Sequence, residues 1–316
     1  MAGSLFFVMT FSISTHWIAG KSRSGEDMIN QVLAAGFDTI ELGYDTTIDL
    51  VPDVKRMVSQ GTIKVSSLHN FCPVPVGAPY GHPEIFPLTG LDSRSRQSAV
   101  THTKRTIEFA AEIGARAVVV HAGNVDMKHM TRDLIDMCLQ GQQYSPSYDK
   151  IKLKLMMHRE KKVQEHLDQL YRSLDELIPF LTQNNIRMGI ENLPSWEAIP
   201  CETEMEDIFR RFDSPFLGYW HDMGHGQIRQ NLGFIGHKRW FERLSPKLVG
   251  MHIHDVRPPA NDHIMPPAGK IIFQDFKSGI RSDTILVFEP APGLPVAEVV
   301  EGKRIVAEAW DIPISK

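Results

Sequence analysis

IRMGIE (residues 186–191) is a short, mostly apolar stretch of strand character that stops at a carboxylate, Glu191. The same pattern returns in LGYWHD (217–222), LVGMH (248–252) and ILVFE (285–289), which stop at Asp222, His252 and Glu289. These four ionisable ends are 31, 30 and 37 residues apart (191, 222, 252, 289). Each interval holds about one strand and one helix of a (β/α)8 barrel, in which eight units share roughly 250 residues. Three further runs end alike: TIEL (39–42) around Glu41, IKVSSLH (63–69) at His69 and ARAVVVH (115–121) at His121. Buried parallel strands are near-continuously apolar, so a polar group at the end of each marks one common face, the catalytic mouth of a barrel.

Outward from these runs, strand patterns fall near 5–14, 38–42, 63–69, 116–121, 186–191, 216–221, 248–253 and 284–289. Amphipathic helical patterns alternate with them at 25–35, 51–60, 96–114, 160–184, 203–212, 234–244, 271–279 and 295–309. Ser24 before the first helix, Pro52 in the first turn of the second, and Gly114 and Gly279 near two C-termini fit helix boundaries. Strict alternation predicts an α/β fold, a (β/α)8 TIM barrel spanning 1–316 as one domain. One helical excursion, around 124–160, follows the strand ending at His121, with a helix expected near 130–140 and a second start near 148. It reads as a lid, a dimer contact or a surface insertion. The proline-rich loop between Cys72 and Leu88 is expected to form a semi-rigid flap over the mouth.

Composition narrows the function classes. A net charge of −4 and a pI near 6.4 give no pull toward polyanions, which disfavours nucleic acid as a partner. Three cysteines, none in a CxxC spacing, predict neither a disulfide framework nor a zinc knuckle and suit a reducing cytoplasm. The apolar stretch from Leu5 to Ile13 has no preceding Lys or Arg and reads as the first strand, not a leader. No apolar run approaches the roughly 18 residues that suggest a membrane span.

Glu191, Asp222, His252 and Glu289 offer three carboxylates and one imidazole. That mainly hard-oxygen set favours Mn²⁺ or Mg²⁺ and tolerates Zn²⁺ or Co²⁺. A divalent ion also neutralises carboxylates that could not otherwise crowd together.

The order IELGY, SSLHNF, VVVHAG, GIENLP, HDMGH, HIHD and FEPAPG resembles the xylose isomerase-like TIM barrels, a family with sugar isomerases, sugar 3-epimerases, inosose dehydratases and endonuclease IV. The resemblance implies that Glu191, Asp222, His252 and Glu289 hold the metal. It also implies that Glu191 and Glu289 move a proton next to a sugar carbonyl through an enediolate, and that His225 contacts substrate or a second metal. His69 and His121 are expected to bond substrate hydroxyls, although endonuclease IV uses such positions for further zinc ions, and His263 is a candidate further ligand. The implied activity is a metal-dependent sugar or sugar-phosphate isomerase or epimerase. A zinc phosphodiesterase like endonuclease IV and an inosose-type dehydratase are the alternatives, and homo-oligomerisation stays open.

Among the remaining candidates, Glu41 reads either as a hydroxyl ligand or as a strand-end salt bridge. Arg257, just past His252, is a candidate for a sugar phosphate or carboxylate. Asp255 is expected to orient a histidine or cap the next turn, and Trp196 and Phe71 to wall a sugar face or pack under loops. His221 should point behind the barrel, because neighbours on a strand face opposite ways. His158, His166 and His237 read as surface helix residues.

Overall fold

A computed structural model describes residues 9–314. Eight parallel strands close into a barrel in sequential order: β1 (Phe11–Ser14), β2 (Thr39–Leu42), β3 (Lys64–His69), β4 (Ala117–Val120), β5 (Arg187–Glu191), β6 (Leu217–Asp222), β7 (Leu248–Ile253) and β8 (Ile285–Phe288), with β8 pairing back to β1. The first strand is shorter than expected, and residues 5–8 of that expectation lie outside the described residues. Helices wrap the outside: α1 (Gly25–Ala34), α2 (Val51–Ser59), α3 (Ser93–Glu112), α4 (Met130–Leu139), α5 (Pro146–Asn184), α6 (Glu202–Arg211), α7 (Met223–Asn231), α8 (His237–Leu244) and α9 (Val296–Trp310). Among the described residues no helix is long and apolar enough to cross a membrane.

The barrel interior is packed, not open. Trp220 fills it against Ala117, Val119, Ile285 and Val287. Its indole needs the space left by two glycines: a Cβ at Gly189 would lie 2.9 Å from the Trp220 Cβ, and one at Gly250 would collide with the ring. With Trp220 turned inward, strand alternation turns Asp222 inward and His221 outward. His221 is indeed buried behind the wall, against Phe241 and Phe276.

Three helical expectations need correction. The second start near 148 and the helix from 160 are one 39-residue helix, α5, capped by the Ser145 hydroxyl with Pro146 in its first turn. No breaker occurs before Pro179, so nothing in the sequence ends that helix early. Second, the segment at 271–279 is a 3-10 turn, Phe273–Gly279. Third, α7 was not anticipated. It starts directly at the end of β6, where the Asp222 carboxylate caps it by accepting the His225 N–H at 2.6 Å.

Two of the three histidines expected on helix surfaces are buried. His166 accepts the Asp126 N–H at 3.0 Å through Nε2 and places Nδ1 3.0 Å from the Thr89 carbonyl, so it ties the excursion to the loop after β3. His237 sits 3.1 Å from His221, ring nitrogen to ring nitrogen, in the layer behind the barrel. Both lie on helix faces that pack inward, whereas His158 is exposed.

Candidate active site

The register of the parallel strands brings the polar ends to one level. Asp222 pairs with His252 across β6 and β7, Glu191 pairs with Trp220, and Glu289 follows β8 with its N–H donating to the Ile253 carbonyl at 3.1 Å. All four side chains are at least 95% buried. His252 is the hub: its Nδ1 lies 3.4 Å from Glu191, 3.2 Å from Glu289 and 3.7 Å from Asp222. One donor atom from each of the four falls within 4.8 Å of the others, a separation that one ion can span.

Surrounding residues fix these groups. Asn192 clamps the Asp222 backbone, donating to its carbonyl and accepting its N–H, both at 2.9 Å. Glu41 is fully buried with Oε1 2.9 Å from His252 Nε2, and its Oε2 accepts the Ser67 hydroxyl at 2.7 Å. Of the two alternatives for Glu41 this is the salt bridge: it faces the histidine and not the cavity, and it leaves His252 Nδ1 turned toward the three carboxylates. His254 accepts the His263 N–H on Nδ1 at 2.9 Å, so Nε2 carries the proton it donates to Asp222 at 3.0 Å.

The histidines expected to bind substrate do gather here. His69 and His121 place Nε2 at 3.3 and 3.2 Å from Glu191 Oε2. Neither makes a well-aligned bond, and that oxygen is buried without a hydrogen-bond partner. His225 donates Nδ1–H to the Asn192 carbonyl at 2.9 Å, and His263 places Nε2 3.5 Å from Glu289. These rings line a cavity of about 320 Å³ together with Tyr44, His82, Glu84 and His129. His82 and Glu84 come from the proline-rich loop, which overhangs the mouth as expected, and His129 comes from the excursion.

Electrostatics follow from the crowding. Burial disfavours ionisation of Glu191 and Glu289, yet His252 above all holds both well below the usual carboxylate range. Burial likewise opposes protonation of His121, but Glu191 and Glu84 push it up to about 10. His252 is held well above the usual imidazole range against the same opposition, chiefly by Glu289 and Glu41. The site therefore carries its negative charge against protonated imidazoles, a task a divalent ion can take over.

Arg257 does not join the site. It is exposed near the tip of an antiparallel hairpin, Asp255–Arg257 paired with Asn261–Ile264, where the register shifts after Asp255. Asp255 instead caps the loop beyond, accepting N–H groups from Val256, Gly269 and Ile271 at 2.8 to 3.0 Å. Phe71 and Trp196 pack under loops: Phe71 is buried against Phe86, and Trp196 stacks on Phe234 at 4.5 Å. Sequence reading missed Tyr44, His129 and His254. His254 stands in the HIHD run beside His252, and its position two residues on, the same strand parity, was the available signal.

The closed parallel barrel with its polar groups at the strand ends defines the class, and the sequence narrows it further. The chain belongs to the xylose isomerase-like TIM barrel family, whose profile matches residues 29–301. An uncharacterized protein of Methanocaldococcus jannaschii is 21% identical over 86% of this chain and 88% of its own length. The crystal structure of a D-tagatose 3-epimerase-like protein superposes with a TM-score of 0.70 at 19% identity, covering 96% of this chain and 98% of that one. The structure of the IolI protein with a bound zinc atom superposes with a TM-score of 0.62 at 14% identity, covering 96% and 98%.

Proposed function

We propose that this protein is a divalent-metal-dependent sugar isomerase or epimerase that moves a proton at a carbon beside a carbonyl. The observation that carries this is the placement of two buried carboxylates, Glu191 and Glu289, either of which can act as a base when ionised, around one imidazole whose far nitrogen is already committed to Glu41. The likeness to a D-tagatose 3-epimerase-like protein supports a ketose as substrate.

The donor set fits an ion. Three carboxylates and the Nδ1 of His252 converge, and Glu191 Oε2 is a buried acceptor that no protein group satisfies. Glu191, Asp222, His252 and Glu289 would hold it; Mn²⁺ or Mg²⁺ suits the oxygen-rich set, and the zinc in the IolI structure is consistent with Zn²⁺ or Co²⁺. When bound, the ion stabilises negative charge on the sugar oxygens as it develops.

The chain's own residues do the rest. One of Glu191 and Glu289 removes the proton from the carbon next to the carbonyl; the C–H electron pair forms the new C=C bond and the C=O π pair moves onto the carbonyl oxygen, giving an enediolate. The other returns a proton, to the opposite face for epimerisation or to the neighbouring carbon for isomerisation. Because both rest ionised, the returning carboxylate first takes a proton from solvent or from a sugar hydroxyl. His69, His121 and His225 line the cavity where the hydroxyls would lie. Three free cysteines, Cys72, Cys138 and Cys201, support a cytoplasmic setting.

A zinc-dependent phosphodiesterase is the second reading. It is favoured by three further metal-capable groups, His69–His121–Glu191, Asp222–His254–His263–Glu289 and His69–His252–Glu289. The second is weakened because both ring nitrogens of His254 are already engaged. Incubating metal-loaded protein with ketoses in deuterium oxide separates the two functions. A new epimer or isomer labelled on carbon, lost in Glu191→Gln and Glu289→Gln, is expected. No carbon-bound label with any ketose, together with cleavage of an abasic-site duplex, would reject the proposal for the phosphodiesterase.

A further inference from the structure

Above the cavity, outside the carboxylate cluster, three side chains from the ends of β1 and β2 form a chain of hydrogen bonds. Asp45 Oδ2 lies 3.0 Å from His16 Nδ1, and His16 Nε2 lies 3.0 Å from the Tyr44 hydroxyl. The Tyr44 and His16 rings pack at 4.7 Å, and Tyr44 meets His69 edge-on at 5.1 Å on the cavity side. The arrangement depends on Gly43, whose N–H donates to Thr15 Oγ1 at 2.9 Å. A Cβ there would come within 2.8 Å of Asp45 Oδ1 and 3.0 Å of the His16 backbone nitrogen, so a larger residue would have to move the Asp45 carboxylate and ease the two strand ends apart.

Donor and acceptor accounting gives the chain a direction. His16 Nδ1 faces a carboxylate oxygen of Asp45, so it is the ring nitrogen placed to donate its hydrogen there. In the tautomer that gives Nδ1–H to Asp45, the lone pair at Nε2 takes the Tyr44 O–H. Burial, then the nearby carboxylates Glu289, Asp45 and Glu191, push the Tyr44 phenol far above its ordinary range, so the phenol keeps its proton. Its oxygen, with the proton committed to His16, has only lone pairs to offer the cavity that Tyr44 lines.

We propose that Tyr44 is a substrate-binding residue that accepts a hydrogen bond from one sugar hydroxyl, with His16 and Asp45 as positioning residues that commit the tyrosine proton elsewhere. The assignment rests on the sugar-directed function above and adds a polarity rule: at this point the site selects a donor and rejects a carbonyl or phosphate oxygen.

The test crosses variants with deoxy substrates. D-Tagatose and its 1-, 3-, 4-, 5- and 6-deoxy analogues are assayed with wild type, Tyr44→Phe, His16→Leu and Asp45→Asn, and binding of the same sugars is followed calorimetrically. Tyr44→Phe should lower kcat/KM or affinity for the full sugar about 10- to 100-fold, the range for losing one buried hydrogen bond. That penalty should vanish on one particular deoxy analogue, and the His16 and Asp45 penalties should shrink on the same one. Penalties equal across all six sugars would mark a merely structural role and overturn the assignment, as would an unchanged Tyr44→Phe. Binding without turnover in wild type would count against the proposed reaction alone, since the binding arm still decides Tyr44. Wild type that binds none of the sugars would overturn both.

Discussion

Replacing Glu41 by Gln tests whether the site is built for a metal from behind its ligands. Glu41 holds His252 Nε2 at 2.9 Å while Ser67 donates to its other oxygen at 2.7 Å, and it is not among the residues that line the cavity. Glutamine has the same shape. Its amide oxygen can still accept Nε2–H, and the Ser67 hydroxyl can rotate to accept from the amide nitrogen. The loss is therefore one buried negative charge, which makes the imidazole a weaker electron donor at Nδ1. Removing an outer partner of a metal-binding histidine costs about 10- to 100-fold in metal affinity. At 1.36 kcal/mol per factor of ten, that is about 1.4–2.7 kcal/mol. Without metal the change is smaller: a bond to a charged group becomes a bond to a neutral one, a loss of about 1 kcal/mol. Calorimetric titration of Mn²⁺ into chelator-stripped protein reads the first quantity, and urea unfolding of the stripped protein reads the second. Metal affinity within twofold of wild type, in a variant that still folds, would refute the argument and leave Glu41 as a structural pair only.

Two further expectations come from protonation. Metal entering the Glu191, Asp222, His252 and Glu289 set displaces protons from histidines held charged by those carboxylates, so adding Mn²⁺ to unbuffered stripped protein at pH 7 should release about one proton or more per ion; a titration showing uptake or no change would contradict it. Burial pushes His237 down to about 3 from an ordinary 6.5, so the unfolded chain binds the extra proton between those values. Its contribution is fully present above pH 6.5 and is lost as pH falls toward 3. The urea-unfolding free energy of wild type should thus fall more steeply between pH 6 and 4 than that of His237→Gln, by up to about 1.4 kcal/mol per pH unit. Parallel curves would rule this out.

What could be read in the sequence was what a strand writes along its own length. Each barrel strand is an apolar run with a terminal polar residue, so β5, β6, β7 and β8 and the positions of Glu191, Asp222, His252 and Glu289 are legible in the sequence alone. Arg257 and Tyr44 show where that ended. Arg257 was placed at the mouth because it follows β7 closely, but a hairpin with a register shift carries it outward. Tyr44 follows β2 just as closely, and it points into the cavity because His16, from the end of another strand, holds its hydroxyl. Contacts between residues far apart in sequence decide such orientations, and single-strand periodicity carries no trace of them. The same holds for His166 and His237, whose helix faces are apolar enough only in the context of the loops and rings they pack against.

The histidines show why the chemistry sits inside this barrel and not merely at its end. His221 and Asp222 are adjacent, yet alternation sends one behind the wall and the other into the mouth. Behind the wall, His221 and His237 have aromatic rings, a tyrosine and an amide as neighbours, and desolvation by burial pushes both toward the neutral form. In the mouth, His252 is fully buried, His225 nearly so, and His121 and His263 partly so, and desolvation again opposes their charge, but carboxylates within about 3.5 Å reverse the outcome. Burial is common to both layers, so it cannot be what makes a histidine functional here. The difference is the ring of strand-end carboxylates, which exists only where parallel strands all stop on one side. A barrel of this topology therefore concentrates unsatisfied negative charge at one face, and the imidazoles around it balance that charge until an ion and a polar substrate take their place.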